Sequence, residues 1–209
     1  MKVLKPFYRR RLPHYQPPDA ILFATFRLAQ SLPEEIVVQL LREREERESI
    51  IRKDRDAGRR SLLLDEERKR YFGYFDNYLD KVMTDVRWLS EPGLAKIVHD
   101  AILFYDRKEY DVIAFCIMPN HVHLVSDMQR TNVPLHNMLQ RIKTFSAVKG
   151  NPLLKRNGGL WHRENYDHVV RDGEELKRIL RYVMENPVKA GLCNVWSDWK
   201  WTYVNENYM

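Results

Sequence analysis

Cysteine is nearly absent from this 209-residue sequence: Cys116 and Cys193 are the only two, far apart and without metal-ligand spacing. That leaves no disulfide framework and no cysteine-bound zinc site, and nothing points to an oxidising compartment. Cys116, inside an apolar run, reads as a small core residue. Long hydrophobic runs are also missing. No stretch approaches the roughly 18 apolar residues of a membrane helix. The basic start (Lys2, Lys5, Arg9, Arg10, Arg11) is not followed by the apolar segment of a secretory signal. A cytoplasmic protein with no membrane partner is therefore expected. No internal repeat is visible.

What is present is a globular composition, 44% hydrophobic and 11% aromatic, on a chain long enough for one buried domain with an elaboration. We expect a single domain over 1–209, with a basic arm at 1–19 and a helical elaboration at about 42–89. Thirty-five Lys and Arg against 29 Asp and Glu give a net charge of +6. Such a surface suits a polyanionic partner, but charge alone equally describes a basic protein without one.

Along the chain, residues 1–19 are basic, aromatic and proline-punctuated, and read as an extended arm. Ala20 to Leu28 is apolar and aromatic between proline-containing segments, predicting a buried first strand. From Pro33, Ile36, Val37, Leu40 and Leu41 recur at helical spacing, with Ser31 or a neighbour as cap. Residues 42–60 are almost wholly charged, predicting the solvated end of a helix and a loop at Ala57-Gly58. Leu64 to Val86 predicts a second helix with Tyr71, Phe72, Phe75, Tyr78 and Leu79 packed inward. Ser90-Glu91-Pro92 starts a third.

Tyr110 to Met118 is the strongest strand, buried on both faces. Pro119-Asn120 turns the chain into an antiparallel partner strand, His121 to Asp127. Pro134 to Lys149 predicts a helix with Leu135, Met138, Leu139, Ile142 and Phe145 inward, ended by Gly150-Asn151-Pro152. Tyr166 to Arg171 follows as a short strand. Asp172 and Glu175 make a capping arrangement for a last helix, stopped by Pro187. This order predicts an α+β fold, an antiparallel sheet with helices on one side and an inserted charged helical segment.

His121-Val122-His123 stands out chemically. Residues i and i+2 of a strand share a face, so both imidazoles project together as an incomplete chelate that needs a third ligand. Two surface histidines near a turn is the plainer reading, and the motif alone does not choose between them. On the last helix Tyr182 and Asn186 lie on one flank of the apolar face, about 120° and 80° from its centre, neither fully buried nor fully outward. An amphipathic tyrosine at a core margin is the ordinary outcome there, and periodicity does not make Tyr182 a nucleophile.

Three segments carry a resemblance in order and spacing: Met118 to Val125 around the two histidines, Trp161-His162-Arg163 to Tyr166-Asp167-His168, and Arg181-Tyr182-Val183 through Asn186-Pro187-Val188-Lys189-Ala190-Gly191. Together they resemble the single-tyrosine transposases of the His-hydrophobic-His superfamily, and more closely the REP-associated tyrosine transposases of bacteria. The stretch Leu12 to Pro18 is also similar; the likeness is weakest over about 42–89. The resemblance implies a ferredoxin-like antiparallel sheet, a metal-binding pair His121 and His123, Asn186 as polar metal ligand, and Tyr182 as nucleophile. Tyr166 and His168 are rival candidates, ranked lower because the family's tyrosine lies on the helix with the Tyr-x-x-x-Asn pair.

It further implies single-strand DNA cleavage and strand transfer on hairpin-forming, REP-like DNA through a 5′-phosphotyrosine, a divalent cofactor (Mg²⁺ or Mn²⁺), and a monomer or homodimer. Arg9, Arg10, Arg11, Arg141, Lys143, Lys155 and Arg156 are candidate phosphate contacts, a solvated surface role being the alternative for each. A histidine-triad hydrolase would need a third histidine where Val125 stands, and no pair of His-x-Thr/Ser motifs exists. The alternative of another class is a domesticated, non-cleaving DNA-binding protein of the same fold.

Overall fold

A computed structural model describes residues 7–9, 13–17, 19–81, 84–129 and 133–208. The chain divides into two compact units, one of 1–29 and 87–209, the other Gln30–Val86.

The first unit opens with two short antiparallel strands, β1 (Phe7–Arg9) and β2 (Pro13–Tyr15). Its main sheet is built from β3 (Ile21–Leu28), and further along the chain β4 (Asp111–Ile117), β5 (His121–Asp127), β6 (Trp161–Val169) and β7 (Thr202–Val204). All neighbours are antiparallel, in the order β6-β3-β5-β4-β7. The first four of these give the ferredoxin-like order, and the α+β class is as expected. β7 is an added edge strand that the sequence reading did not foresee. β4 and β5 are buried along nearly their whole lengths, β4 as its apolar run requires and β5 although four of its seven residues are polar.

Helices of this unit cover both faces of the sheet. Helix Pro92–Leu103 and helix Leu135–Leu153 lie on the face of Phe26 and Phe115: His99 meets Phe115 edge-on at 5.4 Å, and Lys143 sits over Phe26 at 5.7 Å. Helix Gly173–Lys189 lies on the other face, against His123. The second unit contributes the two remaining helices, so in chain order the five are α1 (Glu34–Ile51), α2 (Ala57–Asp80), α3 (Pro92–Leu103), α4 (Leu135–Leu153) and α5 (Gly173–Lys189).

Within the second unit α1 and α2 pack around Leu32, Val37 and Leu79, with Leu41, Phe75 and Tyr78 at the margin. Arg44 is buried, paired to Glu48 at 2.7 Å and lying over Tyr71 at 5.0 Å. The turn falls at 52–56, not at Ala57-Gly58. Asp56 accepts from the Arg59 amide at 2.8 Å, and this N-cap starts α2 at Ala57.

Two helices outrun their expected ends. α4 continues through Gly150 and Pro152 to Leu153. Its inward stripe takes Ser146 where Phe145 was expected: Ser146 donates to the Ile142 carbonyl at 2.6 Å and accepts from Trp161 Nε1 at 2.8 Å, while Phe145 is half exposed. α5 passes Pro187, which removes one hydrogen bond, to the Val183 carbonyl, within the last turn and does not end the helix. The stop is Gly191, at φ 68°, in a Schellman arrangement: the Leu192 amide donates to the Pro187 carbonyl at 2.9 Å and the Gly191 amide to Val188 at 3.0 Å.

Candidate active site

β5 places His121 and His123 on one face of the sheet, in register with Arg27 and Thr25 of β3. Both imidazoles are fully buried, and their Nε2 atoms stand 3.0 Å apart. Each ring is held from behind. Asn120 Oδ1 lies 2.6 Å from His121 Nδ1, and Thr25 Oγ1 lies 2.8 Å from His123 Nδ1. A carbonyl oxygen only accepts, so His121 carries its proton on Nδ1 and turns a lone pair outward from Nε2. A proton on His123 Nδ1, donated to the Thr25 oxygen, does the same for the second ring.

Burial pushes the His121 imidazolium well below the ordinary histidine range, helped by its neighbour His123. His123 is held at about 3, by burial and then by the nearby positive charge of Lys189. Both rings are therefore neutral at pH 7, the form that ligates metals.

Asn186 was expected at the margin of α5 but is fully buried, because α5 lies directly on the histidine face. Its Nδ2 stands 3.0 Å from His123 Nε2. Its Oδ1 is buried and has no hydrogen-bond partner among the described residues. Two neutral imidazole nitrogens 3.0 Å apart, with an amide whose oxygen lacks a hydrogen-bond partner among the described residues, make a donor set of the kind a divalent cation takes, the Asn186 amide turning over to present its oxygen in place of Nδ2. Cis donors of an octahedral cation at roughly 2.1 Å would lie about 3.0 Å apart, the spacing of the two Nε2 atoms. The donor set fits a divalent cation.

Tyr182, one turn before Asn186, is half-buried, as its flank position predicted. Its ring meets His123 edge-on at 5.3 Å and Phe23 at 6.1 Å, and Lys189 Nζ lies 5.0 Å from the ring centroid. Of the rivals, Tyr166 lies on β6 beyond Phe23, edge-on to it at 6.3 Å. His168 points to the buried carboxylate of Glu175 at 3.2 Å. Thr25, Asn120 and Lys189 were missed by the sequence reading. Asn120 carries a signal in its adjacency to His121, masked by its turn chemistry with Pro119; Thr25 becomes visible only once the β3–β5 register is known.

The proposed phosphate contacts are spread out. Arg10 and Arg11 lie outside the described residues, and Arg9 is described only as backbone of β1. Arg141 is paired to Glu109 at 2.6 Å, and Lys143 donates to the His162 carbonyl at 3.1 Å. Arg156 stacks on Trp88 at 3.8 Å and donates to Asn151 at 2.8 Å. Lys155 is exposed. Beside them a groove of about 580 Å³ runs between α4 and β6, lined by Gln140, Lys143, Thr144, Trp161 and Arg163 among others. A second groove of about 450 Å³ by Lys155 and Arg156 shares Ala147 and Val148 with it. Neither lining contains a carboxylate.

Comparison with known proteins adds to this geometry. Residues 88–186 match the model of a family described as IS200-like transposases; the match begins where the α1–α2 unit ends. A Haemophilus influenzae protein, named provisionally as a REP-associated tyrosine transposase, is 28% identical over 102 residues. The aligned part is 44% of this chain and spans only 58% of that relative's length. A solved REP-associated tyrosine transposase bound to a REP hairpin shares the fold at a TM-score of 0.56 and 15% identity, over 93% of this chain and 80% of that one. No helix among the described residues is long and apolar enough to cross a membrane. Over residues 88–186 the chain is similar in sequence to the IS200-like transposases, and over nearly its whole length it shares the fold of a solved REP-associated tyrosine transposase.

Proposed function

We propose that the chain is a metal-dependent single-strand DNA endonuclease and strand transferase acting on hairpin-forming, REP-like DNA, with Tyr182 as nucleophile and His121, His123 and Asn186 as metal ligands. The observation that carries this reading is the convergence of two neutral, buried Nε2 atoms and the Asn186 amide beside the Tyr182 ring. A divalent cation bound there, Mg²⁺ or Mn²⁺, would polarise the scissile phosphate and fix it for in-line displacement.

The protein's own part is the nucleophile and its placement. Tyr182 Oη attacks phosphorus; the P–Oη bond forms, the phenolic proton passes to solvent, and the P–O3′ bond breaks. The departing 3′ oxygen keeps the electron pair and takes up a proton. The products are a 5′-phosphotyrosine and a free 3′-hydroxyl, and attack by another 3′-hydroxyl reverses the step as strand transfer. The bond energy stays in the covalent intermediate, so no nucleotide cofactor is needed. All four site residues come from one chain, so a monomer can hold the complete site. The carboxylate-free grooves, one between α4 and β6 and one between α4 and residues 155–157, offer phosphates a complementary path, and the hairpin carried by the solved neighbour names the substrate to test first.

The test is a labelled hairpin incubated with the protein and Mn²⁺, resolved on a denaturing gel. A slow-migrating protein–DNA adduct is expected. Tyr182→Phe should yield none while still binding DNA, since only the hydroxyl is lost, at a cost of about 1 kcal/mol or less in stability. An adduct that survives Tyr182→Phe and disappears in Tyr166→Phe would move the nucleophile to β6. Binding without any adduct from the unmodified protein would instead favour a domesticated, non-cleaving DNA-binding protein.

A further inference from the structure

Lys189 takes no part in the cleavage step proposed above, and it lies beyond the residues matched by the family model, which end at Asn186. At about 100° per residue, Lys189 returns to within about 20° of Tyr182 around α5, with Asn186 about 40° away. The three form one strip. Helical side chains lean toward the N-terminus, so the Lys189 stem reaches back along that strip and brings Nζ to 5.0 Å from the Tyr182 ring centroid. The same ring is edge-on to His123 at 5.3 Å. The Tyr182 ring thus touches both an ammonium and one imidazole of the buried pair.

Helical spacing would also allow Lys189 to pair with Glu185, four residues back. It does not: among the described residues Lys189 makes no ion pair, and the aromatic face of Tyr182 is its partner. Lys189 is exposed and Tyr182 half-buried, so the ammonium stays open to an incoming strand.

We propose that Lys189 is a catalytic residue of the cleavage site, its ammonium holding a non-bridging oxygen of the scissile phosphate while Tyr182 attacks. This rests on the function proposed above. A cation placed beside the nucleophile has the greatest effect where negative charge grows during phosphoryl transfer. The plainer role is a cation at the C-terminal end of a helix, satisfied by the helix dipole and the ring. That role would show in unfolding and leave the rate alone.

The experiment uses the full chain with Lys189→Gln and Lys189→Arg. Single-turnover adduct formation is measured on a labelled hairpin with Mn²⁺, alongside hairpin affinity by anisotropy and a thermal melt. Lys189→Gln should slow adduct formation by about 10²–10³-fold, the usual loss for one donor aimed at developing charge. Affinity should change by less than about threefold, the split that marks an interaction made in the transition state. Lys189→Arg should recover most of the rate, since it keeps the charge.

A Lys189→Gln rate within about threefold of the unmodified protein overturns the proposal. So does a rate loss matched by an equal loss of hairpin affinity, which would make Lys189 a general phosphate grip. If the unmodified protein forms no adduct, the enzyme reading falls and this inference with it. If it forms one that Tyr182→Phe abolishes and Lys189→Gln leaves untouched, only the inference falls.

Discussion

Each imidazole of the buried pair is oriented through its rear nitrogen by a neighbour of a different kind, an amide oxygen behind His121 and a hydroxyl behind His123. Partners of that sort set the tautomer and aim of a ligand, and their removal commonly costs roughly 10–100-fold in metal affinity. Thr25 is the cleaner of the two to remove, because Thr25→Val keeps the branched shape within β3. The variant should bind Mn²⁺ about 10–100-fold more weakly and lose about 1–3 kcal/mol of stability from the unsatisfied His123 Nδ1–H. Calorimetric titration with Mn²⁺, on protein shown to be folded by circular dichroism, reads the first effect. Unchanged Mn²⁺ affinity would mean that Thr25 merely packs beside the ring.

At the scale of elements, Gly150 shows what local sequence rules do not see. As a helix-interior glycine it should gain about 1 kcal/mol on mutation to alanine. Yet a Cβ there would collide with the side chain of Leu94, itself wholly buried on α3, and overpacking of a close helix contact costs about 1–3 kcal/mol. Gly150→Ala is therefore expected to lower the thermal midpoint; a stabilised protein would mean that Leu94 swings aside freely.

The same residue explains part of the sequence reading. Gly150-Asn151-Pro152 looks like a stop by local chemistry, but the glycine is there for the α3–α4 approach. Pro187 likewise looked terminal and is carried by the last turn of α5. Strands β3 and β4 are legible because apolar runs between turn signals need no tertiary information, and β5 because the Pro119-Asn120 turn leads the chain back beside β4. β7 was not: Thr202–Val204 is three half-buried residues that pair only because β4 offers an edge. The shared face of the two histidines followed from strand alternation, while their reading as a metal pair came from the family resemblance. The depth of Asn186 and the place of Lys189 depended on which face α5 covers, and Thr25 on the β3–β5 register.

For the whole molecule, the buried histidines link folding to pH. His121 and His123 are neutral in the fold, and His162 is held at about 4 by burial and by the nearby Arg27 guanidinium. Unfolding frees all three to bind protons near pH 6.5. A depressed folded value means the unfolded chain binds more protons, so stability is complete above about pH 6.5 and lost as pH falls. The window runs down to about 4 for His162 and about 3 for His123. Each fully buried histidine contributes a slope of up to about 1.4 kcal/mol per pH unit, so the pair approaches about 2.7, with a smaller share from the partly exposed His162. Against a typical stability of about 5–15 kcal/mol, two pH units are enough to threaten the fold.

The measurement can be confined to the right unit. All five tryptophans (Trp88, Trp161, Trp196, Trp199 and Trp201) lie in the unit that holds the sheet, and none in Gln30–Val86. Tryptophan-detected urea unfolding at pH 7.5, 6 and 5 should therefore show falling stability of the sheet unit. Mn²⁺ should oppose the fall, because a cation on Nε2 competes with the proton. Replacing both histidines with asparagine should flatten the dependence. Stability independent of pH from 7.5 to 5 in the unmodified chain would show that these imidazoles are not held neutral by the fold, and would remove the physical basis for reading them as a preformed chelate.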